Sequence, residues 1–409
     1  MNTDFAGADN QTAKIFVKQV NSFEELKPYQ QEWDRLAGDN LFLSWAWLST
    51  WWNYYKSSNR LHVLLFFNQE SDSIVSDDAS MANKLVGVLP TYIETSVTQG
   101  KVVRLLGDGE ICTDHLDVIA DKQDLKRIAS ATAQYFVVRA ELWDSTAFNA
   151  VGEDCEGLNF LGREFQRLGC QVSNQANVNR WSIPLPKDWE SFLGMLSKSH
   201  RKKLRRLGRN VLETDRAKWH RVETVEQFET AWPILIDLHQ RRRVSLGERG
   251  CFASMRWASF HTDMARQLLH RGQLRLSWLE LDGTPVAAEY QLSNGDTTFA
   301  YQGGLDPDRL DEQPGRLSLF RCIEQAIQDG QTNFDLMRGD EEYKLKFRAQ
   351  PVSTFDIRAV SPKVSAVLRS RARTCLKSVY RAAQLTIATS VSAFASMSAL
   401  AKSASGDMN

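Results

Sequence analysis

A glycine-rich stretch offers one place where the chain could bind an anion. Gln302-Gly303-Gly304 opens a turn-rich run, and a segment with helical spacing begins after Pro314-Gly315. A loop that enters a helix presents free backbone N–H groups and the positive end of the helix dipole. The pattern therefore predicts a site for an anion such as a pyrophosphate. A glycine pair also fits a plain turn, and the sequence leaves both interpretations open.

A carboxylate within an apolar strand pattern is the first candidate for proton transfer. Glu289 lies inside the run Val286–Tyr290. Burial there would raise the pKa of Glu289 toward the neutral range in which a general base works. Alternation along the strand could equally turn the side chain to solvent, so both orientations stay open.

A basic helix pattern suggests contact with phosphate groups. Ser199–Arg209 contains six lysines and arginines, and Arg201, Arg205 and Arg209 share one face at a spacing of four. A charge run is most often a solvated helix face. A substrate that carries phosphates would also explain the cluster.

The elements that must position these residues follow a definite order. Asp282-Gly283 and Asn294-Gly295 separate three alternating runs, which predicts an antiparallel meander with tight turns. We expect a helix over residues 316–329, then strands at 333–336 and 354–360. The first half shows a similar plan, with predicted strands at 14–20, 61–67, 85–94, 102–106, 115–119 and 179–184 and helices at 22–36, 44–55, 122–139 and 158–168.

This order resembles the GNAT acyltransferase fold. More narrowly, it is similar to the CelD-type acetyltransferases, named for cellulose biosynthesis, and to the related FemAB-type peptidyltransferases. The resemblance extends from Phe42 to Val360 through a series of segments: Phe42–Trp47 with Trp51-Trp52, Leu85–Pro90, Arg104–Gly107, Asp114–Val118, Tyr301–Gly304, Pro314-Gly315, and Gly339 with Tyr343-Lys344. It implies an α/β (α+β) protein with tandem GNAT-like domains, each a mixed, largely antiparallel sheet flanked by helices.

The resemblance also implies roles for residues. The strand Phe299–Gln302 would supply N–H donors to a thioester carbonyl. The candidates for binding the acyl donor are Tyr301, Gln302, Gly303, Gly304, Arg309, Gly315 and Arg316. The catalytic candidates are Glu289 as base, Tyr343 as proton donor to the thiolate, and Asp335. The candidates for binding the acceptor are Arg201, Arg205 and Lys344. Core packing is the common alternative for a tyrosine such as Tyr343.

Size and composition exclude several classes of protein. A chain of 409 residues predicts two domains and a tail. Fifty basic and 50 acidic residues cancel, so no overall field attracts nucleic acid. The six cysteines form no CxxC pair and the seven histidines lack metal-ligand spacing, so we expect neither a metal nor a disulfide framework. Clustered tryptophans near residue 50 predict core, with a carbohydrate-stacking platform as the alternative.

The predicted boundaries divide the chain into four parts. They are a disordered N-terminus at 1–13, a GNAT-like domain at 14–186, an acyltransferase domain with the donor site at 187–362, and a basic, Ala/Ser-rich tail at 363–409. The N-terminus has no apolar signal-peptide core, so we expect a cytoplasmic protein. The tail predicts either a frayed end or a basic amphipathic helix that touches anionic lipid at the inner membrane face.

The expected function is N-acyl transfer from acetyl-CoA, or another acyl-CoA, to an amine. The resemblance suggests an amino sugar of a surface polysaccharide, or its precursor, as acceptor. A FemAB-like transferase that uses aminoacyl-tRNA is the first alternative, and it is the one case in which we expect a nucleic-acid partner. The usual GNAT Q/R-x-x-G-x-G/A signature is not intact. A non-catalytic protein that binds a glycan or a partner protein is therefore the second alternative.

Overall fold

The computed structural model describes residues 3–5, 15–57, 59–68 and 84–376. The strands are β1 (Thr3–Phe5), β2 (Ile15–Val20), β3 (Arg60–Leu61), β4 (Val63–Asn68), β5 (Lys84–Leu89), β6 (Thr91–Ser96), β7 (Gly100–Leu105), β8 (Ile119–Ala120), β9 (Ser145–Thr146), β10 (Phe148–Gly152), β11 (Gln171–Ala176), β12 (Arg180–Pro184), β13 (Ala217–Arg221), β14 (Leu274–Leu281), β15 (Thr284–Ser293), β16 (Thr297–Leu305), β17 (Asn333–Arg338), β18 (Gln350–Val352) and β19 (Thr354–Val360). The short strand β1 lies where disorder was predicted.

Eleven α-helices accompany the strands between residues 15 and 346 of the described part of the chain. They are α1 (Phe23–Leu26), α2 (Gln30–Ala37), α3 (Trp45–Tyr55), α4 (Leu125–Val138), α5 (Glu156–Arg167), α6 (Trp189–Met195), α7 (Lys198–Leu207), α8 (Val225–Ser245), α9 (Met255–His270), α10 (Pro314–Gln328) and α11 (Tyr343–Lys346). Residues 364–376 form a further helix, here called the C-terminal helix. The tail predicted beyond residue 376 lies outside the described residues.

Three sheets hold these strands together. The first has the order β1-β2-β4-β5-β8. The second has the order β10-β19-β9-β7-β6-β3, with β11 also paired to β19. The third, here called the C-terminal sheet, has the order β13-β14-β15-β16-β17-β12-β18. Most pairs are antiparallel, and the second and third sheets each contain one parallel pair, β7 with β9 and β16 with β17.

The predicted meander β14-β15-β16 is confirmed, but its two turns differ. Asp282 and Gly283 have φ of 51° and 79°, as a type I′ turn requires. At the second turn, by contrast, the Asn294 side chain accepts hydrogen bonds from the backbone N–H groups of Asp296 and Thr297. This side-chain bonding makes a longer loop than the dipeptide predicts.

Two strands near the predicted domain boundaries pair with the other half of the chain. β12, predicted to close the first half, pairs with β17 and β18 in the C-terminal sheet. β19, predicted to end the second half, pairs with β9, β10 and β11. Strand pairing follows long-range packing, which a local pattern does not contain. The strand predicted at residues 115–119 is also shorter, since only Ile119–Ala120 is paired.

The C-terminal sheet opens between two adjacent strands. β16 and β17 pair only over three residues, from Thr297 to Phe299 on β16. Beyond that point β16 continues beside β15, while β17 continues beside β12. The register of β16 shifts at Tyr301, which makes this residue the extra one of a β-bulge. The bulge and the opening therefore coincide on one strand.

Aromatic side chains from the first half pack against this opening. Trp47 and Phe42 are fully buried, and both rings contact Tyr301. Phe42 also meets Phe299 at a ring distance of 5.1 Å. The tryptophan-rich helix α3 is thus core, as predicted, and it contacts α9 of the second half.

Candidate active site

Glu289 lies beneath the first turn of α10. Its strand position faces the α10 side of the C-terminal sheet, and the carboxylate is partly buried. The Ser318 hydroxyl donates a hydrogen bond to Oε1 of Glu289 at 2.5 Å. Ser318 also lies 3.4 Å from the Gly315 carbonyl oxygen, one turn nearer the helix start. The structure thus places the carboxylate next to the helix N-terminus predicted to bind an anion.

The surroundings of Glu289 adjust its proton affinity to neutral pH. Burial raises the pKa of Glu289 to about 7, and the hydrogen bond from Ser318 opposes this rise. A carboxylate with a pKa near the working pH can accept a proton and release it again. Of the two orientations that the sequence left open, the structure shows the buried one.

The glycines of the predicted loop lie in a strand instead. Gly303 and Gly304 belong to β16, where they pair with Glu289 and Ala288 of β15. A Cβ atom at Gly304 would lie 2.4 Å from the backbone nitrogen of His239, so this glycine lets α8 pack closely on the sheet. The prediction of a loop here was wrong, because the alternating pattern of the strand stops at small residues that sequence reasoning assigns to turns.

The bulge residue and its neighbour are engaged by side chains. The Tyr301 hydroxyl donates to the carbonyl of Ile111 at 2.7 Å, and the ring is part of the contact between the two halves. Oε1 of Gln302 accepts from the Gly303 N–H. Any contact of these two residues with a donor would therefore come from the backbone of the bulge. A bulge re-aims backbone groups in this way at many binding sites.

Cations gather at the start of α10. His200, Lys203, Arg316 and Lys346 form this group, here called the α10 cation cluster. The pKa of Lys203 is lowered chiefly by the charge of Arg316. The pKa of His200 is lowered by burial and by the charges of Arg316, Lys203 and Lys346. Repulsion among Lys203, Arg316 and Lys346 favours the binding of an anion near the start of α10.

Arg309, the other predicted charge partner, is occupied by acidic neighbours. Its guanidinium contacts Asp282 at 3.1 Å and Glu312 at 2.6 Å, and it also donates to the carbonyl of Leu281. Gly315, by contrast, sits directly against Leu305 at the end of β16. Of the predicted donor-binding residues, Gly303 and Gly315 therefore lie near Glu289, whereas Arg309 is held in an ion-pair network.

Asp335 and Lys344 are buried in structural networks. Asp335 lies 3.0 Å from Nε2 of His115 and 3.5 Å from Nε of Arg180, and it also accepts from the Met337 N–H. Lys344 is almost fully buried, and its ammonium group donates to the carbonyls of Met337 and Gly339. These contacts link strands and loops, and they occupy the Lys344 ammonium group within the protein.

Tyr343 stands at the surface near Glu289. Its side chain is 43% exposed, and its pKa is raised by burial and then by the charges of Glu341 and Glu289. The phenol is therefore protonated at neutral pH and close to the carboxylate. A proton donor to a leaving thiolate needs this protonation state.

The basic helix α7 divides into two faces. Arg205 pairs with Glu190 and lines a groove of about 330 Å³ with Arg209. Lys203, by contrast, belongs to the α10 cation cluster. Arg201 is partly buried, and its guanidinium has no hydrogen bond or ion pair within the described residues. Of the two arginines predicted to bind the acceptor, the Arg205 guanidinium is therefore paired with Glu190, whereas that of Arg201 is free within the described residues.

A cysteine–histidine pair that the sequence analysis missed lies on the other face of β16. Nδ1 of His239 is 2.9 Å from the Gly303 carbonyl, so this nitrogen carries the proton. Nε2 then accepts, and it lies 3.2 Å from Sγ of Cys251. Burial raises the pKa of Cys251 to about 12, so the thiol is protonated. The residues are twelve positions apart, and no local motif identifies them.

A protein-family model matches part of the second half of the chain, and the matched part contains this site. Residues 198–345 match the model of an acetyltransferase (GNAT) domain. The match covers 148 of the 409 residues, and it supports acyl transfer as the chemistry of this part of the chain. No curated protein sequence matches it. The narrower resemblance to the CelD-type group stays a prediction.

Solved structures resemble the chain over most of its length. FemX has 12% sequence identity and a TM-score of 0.53, over 83% of this chain and 96% of that chain. A conserved protein of unknown function from Bacteroides thetaiotaomicron has 11% identity, a TM-score of 0.49, and coverage of 84% and 99%. A tandem GNAT protein from the clavulanic acid biosynthesis pathway has 9% identity, a TM-score of 0.46, and coverage of 85% and 99%. The predicted mixed α/β fold is thus confirmed by the arrangement of the three sheets and by the likeness to FemX.

Proposed function

We propose that the protein transfers an acyl group from a coenzyme A thioester to an amine, with the reaction at Glu289. The observation that carries this proposal is the position of Glu289 beneath the start of α10, bonded to Ser318. A general base and an anion-binding helix end occur there side by side. Acyl transfer to an amine needs both, one for the proton of the amine and one for the phosphates of the donor.

The residues at the helix end fit an acyl-CoA. The α10 cation cluster would hold the pyrophosphate, together with the free backbone N–H groups at the start of α10. The bound donor supplies an activated thioester carbonyl. The backbone of the bulge at Tyr301 would donate to the carbonyl oxygen.

Two side chains would move protons in this scheme. Oε2 of Glu289, the oxygen not bonded to Ser318, would accept a proton from the attacking amine. The Tyr343 hydroxyl would give a proton to the departing sulfur, since its raised pKa keeps it protonated. The pKa of Glu289, about 7, allows it to return its proton to water after each turnover.

The acceptor class follows from the resemblance alone. An amino sugar of a surface polysaccharide, or its precursor, is the class we propose. Arg201, free of partners in the described residues, is available for an anionic group of that acceptor. Amino sugars with and without a phosphate therefore form the first acceptor screen.

Calorimetric titration with acetyl-CoA, CoA and ATP tests the donor assignment. We expect micromolar binding of acetyl-CoA and CoA, with ATP weaker. Arg316→Gln should reduce the affinity, because it removes a charge beside the predicted pyrophosphate position. Absence of CoA binding by the folded wild-type protein would contradict the proposal.

A second candidate is a transferase that takes its aminoacyl group from aminoacyl-tRNA. Helix α7 carries six lysines and arginines, four of them exposed, as a phosphate-binding surface requires. The fold likeness to FemX is consistent with this candidate. Salt-sensitive binding of aminoacyl-tRNA, without binding of CoA, would favour it over the first.

A further inference from the structure

A second groove lies away from Glu289, lined by residues from 98 to 175 and from 356 to 374. It has a volume of about 610 Å³ and opens between the second sheet and the C-terminal helix. Its lining includes no residue of the C-terminal sheet. The groove is polar, whereas small-molecule sites are usually lined mainly by apolar side chains. Its occupant must therefore be polar as well.

The charged residues of the lining are mostly arginines. Four arginines face two aspartates, and they are Arg104, Arg358, Arg369, Arg373, Asp144 and Asp356. Asp144 is held by Arg369 at 2.9 Å and by Lys363 at 3.1 Å. Oδ1 of Asp356 accepts from Asn177 and from the Ala150 N–H. Both aspartates thus already have partners.

Of the four arginines that line the groove, Arg358 is the one whose guanidinium has no partner among the described residues. It makes no hydrogen bond or ion pair within the described part of the chain, although Arg104 is paired with Glu94 and Arg373 donates to Gln99. The pKa of Arg358 is lowered to about 10, by burial and then by the charges of Arg373 and Arg104, and the charge of Asp356 opposes this lowering only in part. A partly buried cation that faces other cations is costly unless an anion joins them.

Neutral hydrogen-bonding groups surround these arginines. The groove is also lined by Gln99, Asn149, Gln171, Ser173, Gln175 and Thr374. Amide and hydroxyl groups of this kind both donate and accept, which suits a ligand with several hydroxyl groups. Guanidinium groups bind phosphate through paired N–H donors. The groove therefore combines one phosphate position with several hydroxyl positions.

We propose that this groove is a binding site for a phosphate ester that carries several hydroxyl groups, with Arg358 and Arg373 on the phosphate. The ligand class goes beyond the acyl donor, since the groove shares no residue with the site at Glu289. A free sugar phosphate and a lipid headgroup both have this chemistry. The C-terminal helix exposes Val364, Leu368 and Leu376, so the experiment must include both sources.

Calorimetric titration of the full-length protein with glucose 6-phosphate tests the proposal. We expect measurable binding that weakens as salt increases, and none with glucose. Arg358→Gln should weaken binding at least about tenfold, the change expected when one charge-assisted contact is lost. The matched control is Arg371→Gln, which removes the same charge from an exposed position of the C-terminal helix outside the groove.

Vesicle sedimentation distinguishes the two sources of the phosphate ester. Binding to phosphatidylglycerol vesicles but not to phosphatidylcholine vesicles, lost in Arg358→Gln and kept in Arg371→Gln, would identify a lipid headgroup. Binding of glucose 6-phosphate alone would identify a soluble ligand. The proposal is overturned if neither probe binds, or if both variants bind like the wild type. Unchanged CoA affinity and melting temperature would show that Arg358→Gln leaves the protein folded.

Discussion

The Ser318 hydroxyl donates a 2.5 Å hydrogen bond to Oε1 of Glu289, between a helix and a strand 29 positions apart in the chain. This contact stabilises the charged form of a carboxylate that burial would otherwise hold protonated. The two effects together bring the pKa of Glu289 to about 7. The first two predictions follow from this pair.

Replacement of Glu289 by glutamine should remove the base and leave the donor site intact. We expect Glu289→Gln to lower kcat by about 10²- to 10⁴-fold, the usual contribution of a positioned general base. Glutamine keeps the size and can still accept from Ser318. Steady-state kinetics would measure the loss, with calorimetry for acetyl-CoA affinity. Unchanged turnover would exclude Glu289 as the base.

Removal of the Ser318 hydroxyl should shift the pH dependence upward. In the wild type, kcat/KM should rise with pH through about 7, as Glu289 loses its proton. Ser318 lowers this pKa, so Ser318→Ala should move the rising limb to higher pH and reduce activity most below neutrality. The plateau at high pH should change little. An unshifted profile would show that the limb belongs to another group.

Tyr343 is predicted to act as the proton donor rather than as packing. The ring is 43% exposed, so Tyr343→Phe should cost little stability. We expect kcat to fall about 10²-fold or more, because the phenylalanine has no proton to give. A donor with a more acidic thiol, whose departure needs less protonation, should reduce the loss. If kcat is unaffected with the natural thioester, Tyr343 is not the donor.

The α10 cation cluster should govern donor affinity. Arg316→Gln and Lys346→Gln should each raise the Kd for CoA about tenfold, and the difference from wild type should shrink at high salt. Lys202→Gln is the matched control, since Lys202 is an exposed cation of the neighbouring helix α7. An equal loss of CoA affinity in all three variants would indicate a general effect of positive charge on this surface rather than a defined binding site.

The sequence predicted the helices and strands of this fold better than it predicted which strands pair with each other. Asp282-Gly283 fixes a turn through the φ angles it allows, and the apolar spacing of residues 316–329 identifies α10 within two residues. The placement of β12 and β19 depends on contacts between distant segments, which no local pattern contains. Gly303 and Gly304 were assigned to a loop, although Gly304 is needed for packing under α8.

A residue of the candidate site could be predicted where its own type is unusual for its place in the sequence. Glu289 was identified because a carboxylate is unusual in an apolar strand, and its neighbour Ser318 has no such signature. Lys203 and Lys346 lie far apart in sequence and meet only at the start of α10. Arg309 and Arg316 could not be distinguished, because only the structure shows that Asp282 and Glu312 occupy Arg309.

Asp335 provides a last prediction, since the structure favours a structural role over the catalytic one. It is 3% exposed and links β17 to His115 and Arg180 of the first half. Asp335→Ala should lower the free energy of unfolding by about 3–5 kcal/mol, because Arg180 would keep a buried charge with less compensation. Urea unfolding measures the change, with Asp308→Asn, at an 81% exposed side chain, as a control that should stay near wild type. The milder Asp335→Asn should retain kcat per folded molecule, whereas loss of kcat with normal stability would restore Asp335 to the catalytic group.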